Sequence, residues 1–293
     1  MKKIFHNGNS LRAGWRITIF LFIYLIFAII GNIALRYIPL PNILPTLRDQ
    51  IFFYGLFFIT TIVVIKFVDK RSIASVGLGM DKKTPLEIGK GIFISGGMMS
   101  SIVVIEYICS MYSFSLKDNF ISSYSYNIGM SIAIFSIGAF GEELVFRGYI
   151  FQTLVEGTNK IIGIIIIAGG FALMHGNNPN ITLLALINIF LAGVWLSLAY
   201  FRTQSLWFPT ALHFSWNFFQ NHIFSFPVSG LNFSQYQLGI ITQSGPDWFT
   251  GGKFGPEGGA LATIVLIGAI IITNNNWEKN KNLSFPHVCS GNP

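Results

Sequence analysis

The eight residues GEELVFRG at positions 141–148 put two acids and a base inside a long apolar segment, 128–155. An ionisable residue within a membrane span costs about 2.5–3.5 kcal/mol on insertion scales, so it needs a partner or a function. Helical residues i and i+4 share a face, which lets Glu143 pair with Arg147 and leaves Glu142 on another side. The stretch predicts one structural carboxylate and one free for chemistry. The alternative is that Glu143 and Arg147 form an ion pair that only holds two helices together, while Glu142 faces a polar groove without a reaction to catalyse.

The composition extends this membrane interpretation to the whole chain. Hydrophobic residues make up 52% of the 293 positions and charged residues only 11%, whereas an average soluble domain has about 25% charged residues. Such a chain cannot cover a soluble surface with charge. We therefore predict an all-α, polytopic membrane bundle of about eight transmembrane helices around an intramembrane cavity. Segments with the roughly 20 apolar residues that a span requires lie at 15–36, 51–67, 91–110, 128–155, 160–176, 181–201, 206–225 and 259–273.

These spans predict a single transmembrane domain at 1–273, followed by a polar cytoplasmic tail at 274–293. With the N-terminus inside, fifteen of the nineteen Lys and Arg residues fall on the cytoplasmic side, which places both termini there. The net charge is +7, but the basic residues lie between apolar segments and form no basic-aromatic face. The expected partner is therefore the lipid bilayer and not nucleic acid. The oligomeric state stays open.

Two further polar motifs lie in apolar segments. The first is FALMH at 171–175, and the second is HFSWN at 213–217, where His213 and Asn217 share one helix face. That spacing can hold one water or one metal. Each motif alone is weak evidence of function, and a lone histidine in such a place more often forms hydrogen bonds between membrane helices.

A depth estimate places these groups near one another. Glu142 and His175 lie 15 and 18 residues from a cytoplasmic turn near residue 157, which is roughly 22–27 Å at 1.5 Å per residue. His213 is about 15 Å into its own helix from the same side. These levels predict that the polar side chains share an intramembrane cavity.

Outside these motifs, the connection 226–258 is rich in Gly, Pro and Ser. It is either an ordinary turn-rich loop or a cap over a cavity. Glu106 and His222 lie near the ends of predicted spans, and we expect both at the membrane interface.

Taken together, Glu-Glu-x-x-x-Arg at 142–147, Phe-x-x-x-His at 171–175 and His-x-x-x-Asn at 213–217 resemble the CPBP family. This family comprises intramembrane proteases of the type II CAAX prenyl endopeptidase and bacteriocin-processing group, formerly grouped with abortive-infection proteins. The resemblance covers about 120–225. It implies a helical bundle with a cavity between helices, in a bacterial cell membrane.

The resemblance also implies roles for individual residues. Glu142 is expected to activate a water, His175 to assist, and His213 and Asn217 to hold the substrate carbonyl or its oxyanion. The second acid and the arginine of the first motif are expected to form a structural pair. The implied reaction is hydrolysis of a peptide bond in a membrane-associated or lipidated peptide.

Three alternatives remain open. Zinc could be held by Glu142, His175 and His213 with a water in the fourth position, although Asn217 is a poor ligand and the chain has no His-Glu-x-x-His motif. A non-catalytic CPBP-fold membrane protein could act in bacteriocin immunity or as a scaffold. A transporter would also line its path with polar residues, but the two halves of the chain show no repeat.

Overall fold

The computed structural model describes residues 6–7, 10–35, 45–117 and 120–278, and it is mostly helical. Two small antiparallel pairs of strands accompany the helices: β1 (His6–Asn7) pairs with β2 (Ser10–Leu11), and β3 (Tyr112–Leu116) pairs with β4 (Gly239–Gln243). The helices are α1 (Ala13–Ala34), α2 (Pro45–Val63), α3 (Thr84–Ile108), α4 (Phe120–Arg147), α5 (Tyr149–Gly157), α6 (Lys160–Met174), α7 (Leu183–Thr203), α8 (Trp207–Phe218), α9 (Asp247–Thr250) and α10 (Ala260–Glu278).

The helical class is confirmed, whereas the predicted total of about eight spans is not. Among the described residues, five helical segments are long and apolar enough to cross a membrane. The remaining predicted spans correspond to helices that are shorter or less apolar, so their crossing of the membrane stays a prediction. The five segments are Ala13–Ala34, Pro45–Asp69, Thr84–Ile108, Tyr124–Gly157 and Leu183–Thr203.

The outer surface of the bundle is apolar. In α1, Leu21, Phe22 and Leu25 are each about half exposed or more. The same holds for Phe93 in α3 and Ile165 in α6. Large contiguous apolar surfaces are rare on soluble monomers, and a lipid environment accommodates them.

The long apolar segment that carries GEELVFRG is not one helix. It breaks at Gly148, between α4 and α5. A Cβ atom at this position would lie 2.2 Å from the carbonyl oxygen of Leu144, so a side chain there would force the backbone to move. Glycine is therefore required where the chain turns directly after Arg147.

Close contacts between small residues hold the central helices together. A Cβ on Gly193 of α7 would lie 2.9 Å from the Cα of Ala168 in α6, and one on Gly91 of α3 would lie 2.7 Å from the Cβ of Ala211 in α8. Small residues at such crossings let membrane helices approach closely. The frame that carries the three motifs is thus closely packed.

The C-terminal helix α10 continues to Glu278, five residues beyond the predicted end of the membrane domain. The rest of the predicted tail, 279–293, lies outside the described residues. The domain division and the cytoplasmic position of the termini stay predictions.

Glu106 and His222, expected at a membrane interface, are both fully buried within the protein, and their depth in the membrane stays a prediction. Directly after α8 the chain forms a π-helical turn, Phe219–Ile223. In it, Nδ1 of His222 lies 2.7 Å from the carbonyl oxygen of Tyr236, and its ring stacks on Phe218. A π-helical turn changes the angular position of the residues that follow α8, and this could not be deduced from helical spacing.

Candidate active site

The buried ion pair on α4 has the geometry that i,i+4 spacing predicts. Nη1 of Arg147 donates to Oε1 of Glu143 at 3.0 Å, and neither side chain is exposed. Nη2 of Arg147 donates to the carbonyl oxygen of Gly193 at 2.9 Å. The guanidinium carbon lies 4.9 Å from the ring centroid of Phe171. Arg147 therefore joins α4 to α7 and α6.

Glu143 also binds a histidine, which the sequence did not reveal. Nδ1 of His213 lies 2.9 Å from Oε1 of Glu143. Because a carboxylate oxygen can only accept, Nδ1 carries the hydrogen. The ring is thereby fixed with Nε2 turned toward Glu142, 3.9 Å from its Oε2. The two residues are 70 positions apart, so no local spacing could have indicated this contact.

Glu142 has a more open environment than Glu143. Its side chain is 22% exposed, and its Oε1 accepts a long hydrogen bond of 3.4 Å from the hydroxyl of Tyr54. Its Oε2 forms no hydrogen bond among the described residues. The tyrosine can approach because a Cβ on Gly141 would lie only 2.1 Å from its ring. Tyr54 was not identified from sequence, since it belongs to a helix without a motif.

His175 lies directly after α6, and its ring orientation is also fixed. Its Nδ1 is 2.8 Å from the carbonyl oxygen of Phe171, so Nδ1 donates and Nε2 is left without a hydrogen in the neutral ring. The ring of Phe171 is centred 4.9 Å from the ring of His175 and 6.0 Å from that of His213. Phe171 thus contacts both imidazoles.

The structure brings the four predicted site residues together at one polar cavity. This cavity, which we call the Glu142 cavity, has a volume of about 90 Å³ and is lined by Glu142, His175, His213 and Asn217. The rest of its wall comes from α4, Asn178, Gln50 of α2 and four residues of the 226–258 connection. The four are Val228, Ser229, Leu231 and Phe233. Of the two interpretations of that connection, the structure favours the cap.

Three side chains of the Glu142 cavity, Glu142, His175 and His213, are of types that bind zinc. Within the described ranges, no three His, Cys, Asp or Glu side chains are arranged so that they could hold a metal ion. The set Glu142, His175 and His213 therefore does not fit a three-ligand centre in this arrangement, and no step below involves a metal.

The bundle thus has an apolar outer surface and a cavity lined by a glutamate, two histidines and an asparagine. Residues 124–219 match the model of a protein family described as Type II CAAX prenyl endopeptidase Rce1-like. The match includes all three motifs and confirms the resemblance of this segment to the CPBP family. No curated protein and no solved structure matches the chain.

The family and the apolar helices together identify an integral membrane protein. They also support a CAAX-type intramembrane protease as the kind of function, with a membrane-associated peptide as the kind of substrate.

Proposed function

We propose that this protein is an intramembrane endopeptidase in which Glu142 activates the attacking water. The observation that carries the proposal is the Glu142 cavity, because it places an acid with an unbonded oxygen beside two imidazoles and a carboxamide. A carboxylate in such a poorly solvated site is a suitable general base. The substrate is a membrane-associated or lipidated peptide, as the family suggests.

The first half of the reaction uses Glu142 and His175. The hydrogen bond to Phe171 determines which ring nitrogen of His175 carries a hydrogen. A water donates one hydrogen to Glu142 and the other to Nε2 of His175, which is an acceptor because Nδ1 donates to Phe171. The water oxygen attacks the substrate carbonyl carbon, and its proton passes to Glu142. The carbonyl becomes a tetrahedral oxyanion.

The oxyanion is stabilised by Asn217 and His213, which line the same cavity. The carboxamide of Asn217 donates one hydrogen bond. Nε2 of His213 donates the second when the ring is an imidazolium, whose positive charge the carboxylates of Glu142 and Glu143 favour. Removal of one such donor typically lowers turnover about 10²–10³-fold. Glu143 is a positioning residue, since it holds the ring of His213.

In the second half, the bond between carbon and nitrogen breaks. Glu142 returns the proton to the leaving nitrogen, so the products are one carboxylic acid and one amine. Every proton that leaves the water is thereby accounted for, and Glu142 ends as it began.

The test compares membrane peptides in cells that carry either wild type or Glu142→Gln. The amide keeps the shape of the side chain and removes the base. We expect at least one peptide to be released by wild type and to remain intact with the variant. Identical peptide profiles from two folded proteins would contradict the assignment.

A further inference from the structure

A second cavity lies against the same catalytic groups. It has a volume of about 50 Å³ and shares His175, His213 and Asn217 with the Glu142 cavity. It does not include Glu142 but is lined by Glu257, which lies outside the segment that matches the family. We call it the Glu257 cavity. A substrate bond held by His213 and Asn217 would have both cavities beside it.

The walls of the Glu257 cavity are mostly apolar. They come from α6, α7, α8 and α10, and include two indole rings. The volume is enough for a few waters or one unbranched side chain, because one water needs roughly 10–15 Å³ of such space. The apolar and aromatic lining includes Phe171, Ala192, Trp195, Leu212, Trp216 and Leu266.

The carboxylate of Glu257 borders the cavity in a fixed position. Its Oε1 accepts from the backbone N–H of Ser229, and its Oε2 accepts from Nε1 of Trp216 at 3.3 Å. Both donors line the same cavity. The backbone is held as well, because Nδ2 of Asn188 donates to the carbonyl oxygens of Glu257 and Gly259 at 2.8 and 2.9 Å.

Neither side-chain hydrogen bond of Glu257 brings a cation. A carboxylate has about four acceptor positions. Its donors, the Ser229 amide and the Trp216 indole, are neutral, as are the nearby side chains of Gln220 and Ser229. Among the described residues, no lysine or arginine pairs with Glu257, and His175 of the same cavity interacts with it electrostatically without a direct ion pair. Burial of Glu257 raises the pKa of its carboxyl above the usual value. Burial favours the neutral acid in the empty cavity, and an ammonium that enters it favours the carboxylate. The carboxylate and the two aromatic faces then both attract the cation.

We propose that the Glu257 cavity binds a lysine side chain of the substrate, with Glu257 as a specificity-determining residue. The four methylenes of lysine suit the apolar walls, and its ammonium reaches the carboxylate. The identity of the bound chain as substrate rests on the proposed peptidase function. The binding site itself does not, since it can be tested without cleavage.

The first experiment measures binding of n-butylammonium, which reproduces the lysine side chain, to the full chain in detergent micelles. The readout is the ¹⁹F resonance of Trp216 in protein labelled with 5-fluorotryptophan, assigned with Trp216→Phe. We expect a saturable shift whose Kd weakens at least about tenfold in Glu257→Gln, because an amide loses the charge that binds the ammonium. An equal Kd, or no saturable shift, would overturn the proposal.

Three controls separate this site from other effects. Glu106→Gln removes another buried carboxylate that does not line the cavity, and it should keep the wild-type Kd. Neutral 1-butanol should bind no more weakly to Glu257→Gln than to wild type. If the substitution weakened the binding of 1-butanol as much as that of n-butylammonium, recognition of charge would be refuted. If Glu257→Gln does not fold, Ala192→Leu fills the cavity from α7 and should abolish the shift. A retained shift there would refute the location.

The second experiment connects the site to cleavage. Membrane-anchored peptides with lysine or norleucine beside the scissile bond are incubated with the protein in vesicles. Wild type should prefer lysine, and Glu257→Gln should cleave both peptides at similar rates. Lysine preference that persists in Glu257→Gln would overturn the specificity role. Binding of n-butylammonium without cleavage of any peptide would count against the peptidase function and leave the ammonium site in place.

Discussion

Two charged regions of this molecule contain similar residues in different arrangements. In the ion cluster of Arg16, Asp69, Arg71 and Glu156, each acid pairs with both arginines. The active site has one arginine for two adjacent acids, and Glu142 has an unbonded oxygen. The ion cluster joins α1, the end of the α2 segment and α5.

The comparison indicates which charged side chains stabilise the fold and which are available for a reaction. A closed ring of two acids and two bases satisfies its own charges and can only hold helices together. A site whose second acid has no arginine partner leaves a proton acceptor beside a cavity. Three substitutions test this comparison.

The largest effect on stability is expected from Arg147→Met. It leaves Glu143 buried with only His213 as a partner, and the loss of one member of a buried pair costs about 3–5 kcal/mol. Denaturant unfolding in micelles measures the change. Arg147→Lys is the matched variant, which keeps the charge and should lose less. Wild-type stability of Arg147→Met would show that the pair is not structural.

A smaller loss is expected from Arg16→Met. Asp69 and Glu156 each keep Arg71, at 3.0 and 2.9 Å, so the loss should be about 1–3 kcal/mol, as for hydrogen bonds to charged groups. The same unfolding assay measures it. Arg48→Met is the control, because its pair with Asp49 is exposed and should contribute less than about 1 kcal/mol. A loss for Arg16→Met as large as that for Arg147→Met would refute the contrast.

The smallest effect is expected from Tyr54→Phe. It removes the long hydrogen bond to Glu142 and keeps the ring that packs on Gly141. Turnover should fall about two- to tenfold, because one such bond contributes roughly 0.5–1.5 kcal/mol. Peptide hydrolysis in vesicles measures it. Tyr112→Phe removes a hydroxyl bonded to Val103 and should leave turnover unchanged. A thousandfold drop for Tyr54→Phe would instead assign the hydroxyl a direct part in the chemistry.

The sequence predicted those features that local periodicity encodes. The pairing of Glu143 with Arg147 follows from i,i+4 spacing. The common cavity of Glu142, His175 and His213 follows from residue counts along neighbouring helices. Both depend only on the rise and turn of an α-helix, which the chain cannot change freely.

Contacts between residues far apart in the sequence could not be predicted from helical spacing. The bond from His213 to Glu143 depends on how α8 approaches α4. Glu257 reaches the site through a loop whose path no periodicity describes. The π-helical turn that buries His222 changes the helical repeat itself. Span counting was limited in a similar way, because a break at Gly148 and a short α6 depart from one 20-residue helix per apolar segment.

The central claim is the division of labour between two adjacent acids, and paired substitutions test it most directly. Hydrolysis rate and unfolding stability are measured together for Glu142→Gln and Glu143→Gln in vesicles. Glu142→Gln should keep wild-type stability and lose roughly 10²–10⁴-fold in rate, the contribution of a general base. Glu143→Gln should lose stability, because Arg147 is then buried without a charged partner. A folded Glu142→Gln protein that hydrolyses peptide at the wild-type rate would contradict the account.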